Sequence, residues 1–311
     1  MPYRSSPNAN TRLSAPWRVL VLGAAFALSG CHPGNEDAKR LRSSCESGDT
    51  AACNQLAIRL QKGEYVLRDP GRAATLFEKA CDGSTPEACA SLGVMYQRAS
   101  GVKRDSARAS TLFRQACDRD AMDGCIRLGV LHRLGAGMPR DLERAAALFQ
   151  QACGRAQLLG CAHLGAQYAA GEGVPQDFTR ASELFTQSCR EKVPIGCLGL
   201  GRLHAMGTGV TRNDSIAADL FKQACDSSEA AGCFELAAVN ESGKGVTQNF
   251  QRAAQLYRQA CEARHGEACY RLAGLYEKGA GVRRDTERAT ATMQQACNAG
   301  YSPACPKPKG T

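Results

Sequence analysis

The chain has 311 residues, of which 22% are charged and 6% aromatic, and its formal net charge is +9 at pH 7. This length is ample for a sizeable core. The basic excess is mild and spread along the chain, unlike the concentrated positive charge of nucleic-acid-binding proteins, so we expect no nucleic-acid partner.

The first segment has the composition of an export signal. Residues 1–18 carry three arginines and no acidic residue, and the apolar run VLVLGAAFALSG follows at residues 19–30. This run is too short to span a bilayer but suits a cleaved signal peptide. Its end, LSGC, resembles a bacterial lipobox, in which cleavage precedes a cysteine that is then acylated; here that residue is Cys31. Cleavage after Ala27 is the alternative, and it would leave Cys31 as a free thiol.

This segment determines the predicted domain organisation and location. We predict a lipoprotein signal peptide at residues 1–30, a lipidated N-terminus and short linker at residues 31–35, a repeat domain at residues 36–305 and a polar tail at residues 306–311. The lipid would anchor the protein in the cell envelope. Because His32 rather than an aspartate follows the cysteine, we expect attachment to the outer membrane, facing the periplasm.

Sixteen of the seventeen cysteines form eight pairs with a spacing of eight residues, and the pairs recur every 36 residues. The pairs are Cys45 with Cys53, Cys81 with Cys89, Cys117 with Cys125, Cys153 with Cys161, Cys189 with Cys197, Cys225 with Cys233, Cys261 with Cys269, and Cys297 with Cys305. In an exported protein, paired cysteines become disulfides. Zinc sites are the alternative, but zinc ligands usually come as short C-x2–4-C knuckles, which this sequence lacks. We therefore expect disulfides and no metal site.

The residues between the cysteines repeat with the same period and predict two helices per unit. In CIRLGVLHRLG, residues 125–135, apolar or small side chains recur on one helical face, and DLERAAALFQQAC, residues 141–153, shows a second such face. A G-x-G loop ends the first helix, because glycine accepts the left-handed conformation. Gly129, inside the first helix, indicates close backbone approach of a neighbouring helix. An Asp or Asn that can cap the second helix follows the loop, and these residues are Asp105, Asp141, Asp177, Asn213, Asn249 and Asp285.

The combined pattern L-G-x-L/M-Y/H-x-x-G-x-G-V-x-x-D-x-x-R-A-x-x-L-F resembles the Sel-like repeat, a relative of the tetratricopeptide repeat. One copy is LGVMYQRASGVKRDSARASTLFRQAC at residues 92–117, and the cysteine pairs make the chain similar to the cysteine-rich Sel-like repeat proteins of Helicobacter. The resemblance extends over residues 36–305. It implies an all-α fold: an α/α superhelical solenoid of about seven 36-residue helix-hairpin repeats, with one disulfide per repeat. We expect the last helix to be unpaired.

Antiparallel helices allow two schemes of disulfide pairing. A spacing of eight joins Cys81 to Cys89 across a turn, whereas a spacing of 28 joins Cys53 to Cys81 at one end of a hairpin. A spacing of eight uses all sixteen cysteines, but a spacing of 28 leaves Cys45 and Cys305 unpaired. We predict the spacing-eight scheme, which the resemblance to the Helicobacter proteins also implies.

The same resemblance brings in an enzymatic alternative, because the Helicobacter relatives are linked to penicillin binding and weak β-lactamase activity. After the signal the chain has one S-x-x-K sequence, Ser100 to Lys103, but it lies in a predicted loop, whereas a serine acylase places its serine at a helix start. His132 and His204 occupy a position that is tyrosine in other copies, so core packing explains them better than a metal or base role. We therefore favour a non-enzymatic protein and predict no catalytic residue, metal or cofactor.

Positions that differ between copies indicate a partner surface. One column is Asn54, Ala90, Ile126, Ala162, Leu198, Phe234 and Tyr270, and the next is Gln55, Ser91, Arg127, His163, Gly199, Glu235 and Arg271. Both lie on the first helix of each hairpin, the helix that lines the concave groove of tetratricopeptide-type solenoids, and we expect both to face away from the packed seam. The candidate partner-binding residues are Arg127, Arg202, Phe234, Tyr270 and Arg271.

From these features we predict a monomeric, extracytoplasmic lipoprotein scaffold that binds an unidentified protein or peptide in the solenoid groove. The membrane is its second partner, through the lipid anchor. A β-lactam hydrolase and a peptidoglycan-associated binding factor are the alternatives.

Overall fold

The computed structural model describes residues 33–305, which form fifteen α-helices, a single 3-10 turn and no strand. The helices are α1 (Pro33–Glu46), α2 (Thr50–Lys62), α3 (Pro70–Asp82), α4 (Pro86–Arg98), α5 (Ser106–Asp118), α6 (Met122–Leu134), α7 (Leu142–Gly154), α8 (Leu158–Ala170), α9 (Phe178–Arg190), α10 (Pro194–Met206), α11 (Asp214–Asp226), α12 (Ala230–Ser242), α13 (Phe250–Glu262), α14 (Gly266–Lys278) and α15 (Thr286–Asn298); the turn is Ser302–Ala304. The predicted signal peptide, Cys31 and the polar tail lie outside the described residues.

Seven helix hairpins follow α1. Repeat 1 is α2 with α3, repeat 2 is α4 with α5, and the series continues to repeat 7, α14 with α15. Each hairpin also packs on the next, so the chain is a superhelical stack, and the predicted fold class is confirmed. The expectation that the last helix is unpaired is wrong, because α15 packs along α14. Within residues 33–305 the helix outside the hairpins is α1.

The predicted capping residues begin the second helices. Asp141 has extended backbone geometry, and its Oδ1 accepts a hydrogen bond from the backbone N–H of Arg144 at 2.9 Å. The same bond recurs in the other copies, from Asp105, Asp177, Asn213, Asn249 and Asp285. Each cap satisfies an amide that the helix itself leaves free. The capping prediction is therefore confirmed.

The loop glycines allow the backbones of consecutive repeats to approach closely. Gly173 has φ +71°, and a Cβ at this position would overlap the backbone carbonyl of Leu142, at the start of the second helix of the preceding repeat. Only glycine combines this left-handed conformation with so close an approach. The mid-helix Gly129 serves packing within a hairpin, since a Cβ there would lie 2.7 Å from Cε1 of Phe149. The close approach predicted at Gly129 is therefore by an aromatic ring rather than by a backbone.

Disulfides join each second helix to the first helix of the next unit. Cys81 near the end of α3 bonds to Cys89 in the first turn of α4, with the Cα atoms 4.7 Å apart. All eight bridges have a sequence separation of eight and Cα–Cα distances between 4.4 and 4.8 Å. The other seven join Cys45 to Cys53, Cys117 to Cys125, Cys153 to Cys161, Cys189 to Cys197, Cys225 to Cys233, Cys261 to Cys269, and Cys297 to Cys305. The spacing-eight scheme is confirmed for every predicted pair.

The two ends of the stack carry variants of this bridge. Cys45 lies in α1, so the first bridge joins the N-terminal helix to repeat 1. Cys305 follows the 3-10 turn, so the last bridge ties that turn to the end of α15. The six bridges between them connect consecutive hairpins.

A row of buried aromatic rings forms the centre of the stack. The second helices contribute the fully buried side chains Phe77, Phe113, Phe149, Phe221 and Tyr257, surrounded by alanine, leucine and cystine. Since Phe113, Phe149 and Phe221 pack against glycines of the first helices, the two layers approach closely there. None of the helices within residues 33–305 combines the length and hydropathy needed to cross a bilayer.

Candidate partner-binding surface

The first helices bury one face and expose another. In α6, Cys125, Leu128 and Gly129 are buried, whereas Asp123 is exposed and Arg127 and Val130 are half-buried. The accessible residues stand at the second, sixth and ninth positions of the helix, which lie on one side of its axis. We call the surface formed by these positions in α2 to α14 the first-helix face.

The first helices are also the closer-packed layer of the stack. Three pairs of neighbouring first helices contact each other directly, namely α4 with α6, α8 with α10 and α10 with α12. No pair of second helices in residues 33–305 makes a contact of that extent. In a curved stack of hairpins the layer whose helices approach one another lies on the inner side, which is where solenoid proteins form extended binding surfaces.

Two adjoining clefts lie on the first-helix face between α2 and α8. The larger has a volume of about 460 Å³, and its lining includes Val94, Arg98 and Ser100. The smaller, of about 150 Å³, is lined by Ile126, Val130, Leu159 and His163, together with Gln97. Both clefts share Asp123 and Arg127, and we call these two adjoining clefts, which extend across four repeats, the groove.

Charged groups stand beside apolar ones in this groove. Arg127 Nε donates a hydrogen bond to Asp123 Oδ2 at 2.6 Å, and both side chains are substantially exposed. Arg68, at the edge of the larger cleft, donates through Nε to the carbonyl of Gln61 at 3.2 Å. Exposed ion pairs of this kind contribute little to stability, about 1 kcal/mol at most, so Arg127 can exchange its partner at low cost.

His163 contributes a neutral aromatic ring to the groove. Its ring stacks on Phe149, with centroids 4.8 Å apart and planes inclined by 21°. Burial is the main cause that lowers the pKa of His163 to about 4, and the nearby Arg133 lowers it further. The imidazole is therefore uncharged at neutral pH.

The three predicted arginines lie on the first-helix face, and each forms an ion pair within the chain. Arg127 pairs with Asp123, Arg202 Nε lies 2.8 Å from Glu235 Oε1, and Arg271 Nη2 lies 3.8 Å from Glu267 Oε1. These arginines stand in repeats 3, 5 and 7. The structure therefore distributes them along the face and places only Arg127 in the groove between α2 and α8.

The two predicted aromatic residues, Phe234 and Tyr270, occupy the fifth position of their helices, and this column of positions packs against neighbouring residues. The expectation that their column faces away from the seam is wrong for most copies, since Ala90, Ile126, Ala162 and Leu198 are buried. Phe234 is half-buried and stacks on His265 of the next repeat, with centroids 4.7 Å apart. Tyr270 is 36% exposed and packs at a tilt against Tyr301, with centroids 5.2 Å apart. The fifth position of a first helix points towards the following repeat, and this direction explains both contacts.

Most groove residues were missed by the sequence reasoning, among them the apolar side chains Val94, Val130 and Leu159. Leu159 is 38% exposed and occupies a position that is Glu87 and Asp123 in the two preceding copies. The available signal was a large apolar side chain at a position that is acidic in the two preceding copies.

The positions of the residues considered for catalysis or metal binding are explained by packing and by loop structure. Ser100 and Lys103 lie in the loop between α4 and α5, away from any helix start. His132 is buried, and burial, followed by Arg144, lowers its pKa. His204 Nδ1 lies 3.1 Å from the carbonyl of Thr211. Among residues 33–305, no group of three or more His, Cys, Asp or Glu side chains is arranged to hold a metal ion.

Comparison with known families finds one repeated match. The Sel1 repeat matches seven segments, at residues 50–84, 86–120, 123–155, 158–192, 194–228, 230–265 and 266–301. These segments coincide with repeats 1 to 7 as the structure defines them. Comparison with curated proteins gives no significant match.

Solved structures with similar folds come from several bacteria. A protective antigen present in uropathogenic Escherichia coli strains, which displays an SLR fold, is 26% identical with a TM-score of 0.60; the alignment covers 86% of this chain but only 57% of the antigen. A Sel1 repeat protein from Oxalobacter formigenes is 25% identical with a TM-score of 0.61, over 87% of this chain and 78% of that one. Cysteine-rich protein B of Helicobacter pylori is 26% identical over 42% of this chain and 93% of its own, with a TM-score of 0.35.

Proposed function

Because this chain belongs to the Sel1 repeat family, whose members generally mediate protein–protein interaction, we propose that it is an extracytoplasmic lipoprotein scaffold that binds a protein or peptide partner along the first-helix face. The proposal has two parts, the binding groove and the location, and each has its own support and test.

The observation that carries the binding role is the groove, the two clefts that adjoin at Asp123 and Arg127. Its apolar lining, Val130 and Leu159, adjoins an exposed ion pair, so the groove offers both buried area and polar contacts. Such a mixture is typical of surfaces that bind proteins. The disulfides join every repeat to the next, so the groove keeps its shape before a partner arrives, and preorganisation lowers the cost of binding.

Two features support the extracytoplasmic location. Eight disulfides along one chain suit an oxidising compartment and are rare in the cytosol. The second feature is the predicted signal with Cys31 at its end, which the sequence alone supports.

The groove is tested by affinity capture from envelope extract with Leu159→Glu and its matched control, Ile216→Glu. Both residues are exposed aliphatic side chains, at 38% and 41%, but Leu159 lines the groove and Ile216 lies on the second helix α11. We expect Leu159→Glu to lose the partners that the wild type and Ile216→Glu both retain. Equal capture by all three proteins would contradict the groove assignment.

The location is tested by fractionating cells that express Cys31→Ser. Without a thiol to acylate, the protein should move from the membrane pellet to the soluble periplasmic fraction. Separation of inner and outer membranes then tests the expected outer-membrane attachment of the wild type. A variant that still pellets with membranes would show that the lipobox interpretation is wrong.

A further inference from the structure

An arginine-lined cleft of about 670 Å³ lies at the loop side of repeat 7. It is formed by α13, by Tyr276 near the end of α14, and by residues 282–288, which connect α14 to α15 and begin that helix. The arginines that line it are Arg258, Arg283, Arg284 and Arg288. It shares no residue with the two clefts of the first-helix face.

Only one of these arginines forms an ion pair within the described chain. Arg288 Nε lies 3.2 Å from Oδ2 of Asp285, whose Oδ1 already caps α15. The second carboxylate of the cleft, Glu287, is exposed and pairs with none of the arginines. Arg258 Nη2 donates a hydrogen bond to the neutral hydroxyl of Tyr276 at 3.1 Å, which leaves its charge unbalanced.

The corresponding place in repeat 2 shows what balances this charge elsewhere in the chain. Five repeat lengths earlier, Lys103, Arg104 and Arg108 occupy the positions of Arg283, Arg284 and Arg288, and Tyr96 occupies that of Tyr276. The second-helix position, however, is Glu78 instead of Arg258. Glu78 Oε1 lies 2.6 Å from Arg108 Nη2, and the Arg108 guanidinium lies over the Tyr96 ring, 5.0 Å from its centroid.

The site at repeat 7 thus keeps the cations of this arrangement, but the second helix of the preceding repeat supplies a fourth arginine, Arg258, where α3 supplies the carboxylate of Glu78. Like charges held together repel, and a carboxylate placed among them relieves the repulsion while accepting paired guanidinium hydrogen bonds. We propose that the cleft of Arg258, Arg283, Arg284 and Arg288 binds a carboxylate from an acidic peptide segment of a partner, in the role that Glu78 of α3 performs beside Arg108. This site is independent of the groove between α2 and α8.

The binding test uses a blocked hexaglutamate peptide as the probe, with affinity and stoichiometry measured by isothermal titration calorimetry on the full chain. We expect one peptide per chain and an affinity that falls as salt is added. Arg258→Glu installs a carboxylate like that of Glu78 and should weaken binding by about tenfold or more. The control Arg190→Glu makes the same change of charge at an exposed residue of α9 and should change the affinity by less than about twofold.

A reciprocal variant tests the comparison between the two repeats. Glu78→Arg places on α3, beside repeat 2, the residue that Arg258 supplies on α13 beside repeat 7, so we expect the stoichiometry to rise from one peptide per chain to two. Because the Glu78 side chain is about half exposed and Arg258 is exposed, the variants should keep the wild-type thermal melt. If Arg258→Glu melts lower, Arg258→Gln, which removes the charge without adding another, should still weaken binding.

Four results would overturn the proposal. The first is an unchanged peptide affinity in both Arg258 variants, and the second is a loss of peptide affinity in Arg190→Glu equal to that in Arg258→Glu. The third is a stoichiometry of one peptide per chain in Glu78→Arg. The fourth is inorganic phosphate binding as tightly as the peptide. Leu159→Glu separates this site from the groove, because it should bind the peptide with wild-type affinity even if it loses its captured partners.

Discussion

His163 stacks on Phe149 across the boundary between repeats 3 and 4, with the planes of the two rings inclined by 21°. Phe149 is fully buried and also lies against Gly129 of its own hairpin. In the next repeat the ring of Phe185 lies between Gly165 and Gly199, which is the copy of His163. In these two repeats the ring of the second helix therefore packs between two consecutive first helices, and the sixth-position residue of the next repeat lies against it.

The first prediction concerns the pH dependence of stability. The pKa of His163 is lowered to about 4 in the folded protein, from an ordinary value near 6.5. Between these values the unfolded chain binds a proton that the folded chain does not, so stability falls as the pH is lowered from about 6.5 to 4. His163→Ser, which introduces the residue that Ser91 supplies in repeat 2, should lose this part of the pH dependence.

Thermal melts of both proteins at pH 7 and pH 4 provide the measurement. The advantage of the wild type over His163→Ser should be largest at pH 7 and should shrink at pH 4. Because the other titrating groups are common to the two proteins, their contributions cancel in the comparison. An advantage that is the same at both pH values would contradict the buried, neutral imidazole.

The second prediction compares two glycine substitutions. Gly173→Ala places a Cβ at φ +71° against the Leu142 carbonyl and should destabilise the protein by about 2 kcal/mol or more. A methyl group on Gly274, inside α14, would meet no atom of a neighbouring helix within 4 Å, so Gly274→Ala should stabilise by up to about 1 kcal/mol through helix propensity. Chemical denaturation gives both values, and a change of the same sign in both variants would refute the packing argument.

The third prediction concerns one disulfide. Replacing Cys153 and Cys161 together by alanine removes the bridge between repeats 3 and 4 and should cost about 2 to 3 kcal/mol. Each repeat contacts only its neighbours, so the loosening should stay near residues 140–175. Hydrogen exchange should show faster exchange there, with repeats 1 and 7 protected as in the wild type. Faster exchange along the whole stack would instead indicate a single cooperative unit.

The fourth prediction compares the stability lost when each of the two fifth-position aromatic residues, Phe234 and Tyr270, is replaced by alanine. Phe234 is half-buried between His265 and Tyr257, so Phe234→Ala should lower the free energy of unfolding by about 2 kcal/mol. Tyr270 is exposed and contacts Tyr301, so Tyr270→Ala should cost less than about 1 kcal/mol. Urea titration of each variant measures the difference. A Phe234→Ala protein with wild-type stability would instead favour a direct role in partner binding.

The sequence by itself determined the repeat, its helix pairs and its disulfides. Helix periodicity, the capping by Asp141 and the left-handed glycine at Gly135 depend on residues close together in the chain, so one copy suffices to predict them. The exact period of 36 residues then extends one hairpin to the whole stack. Because a spacing of eight pairs all sixteen cysteines and a spacing of 28 does not, the sequence also predicted the disulfide pairing that the structure contains.

Only the tertiary structure decided which residues reach solvent on the first helices and which distant residues share a cleft. The fifth and sixth positions are adjacent in sequence and point about 100° apart on a helix, so the burial of Ile126 beside the half-exposed Arg127 depends on where the next repeat packs. The cleft around Arg258 combines side chains from two consecutive hairpins, and their convergence depends on the angle between those hairpins. Local sequence rules do not contain that angle, because the packing of buried side chains between repeats sets it.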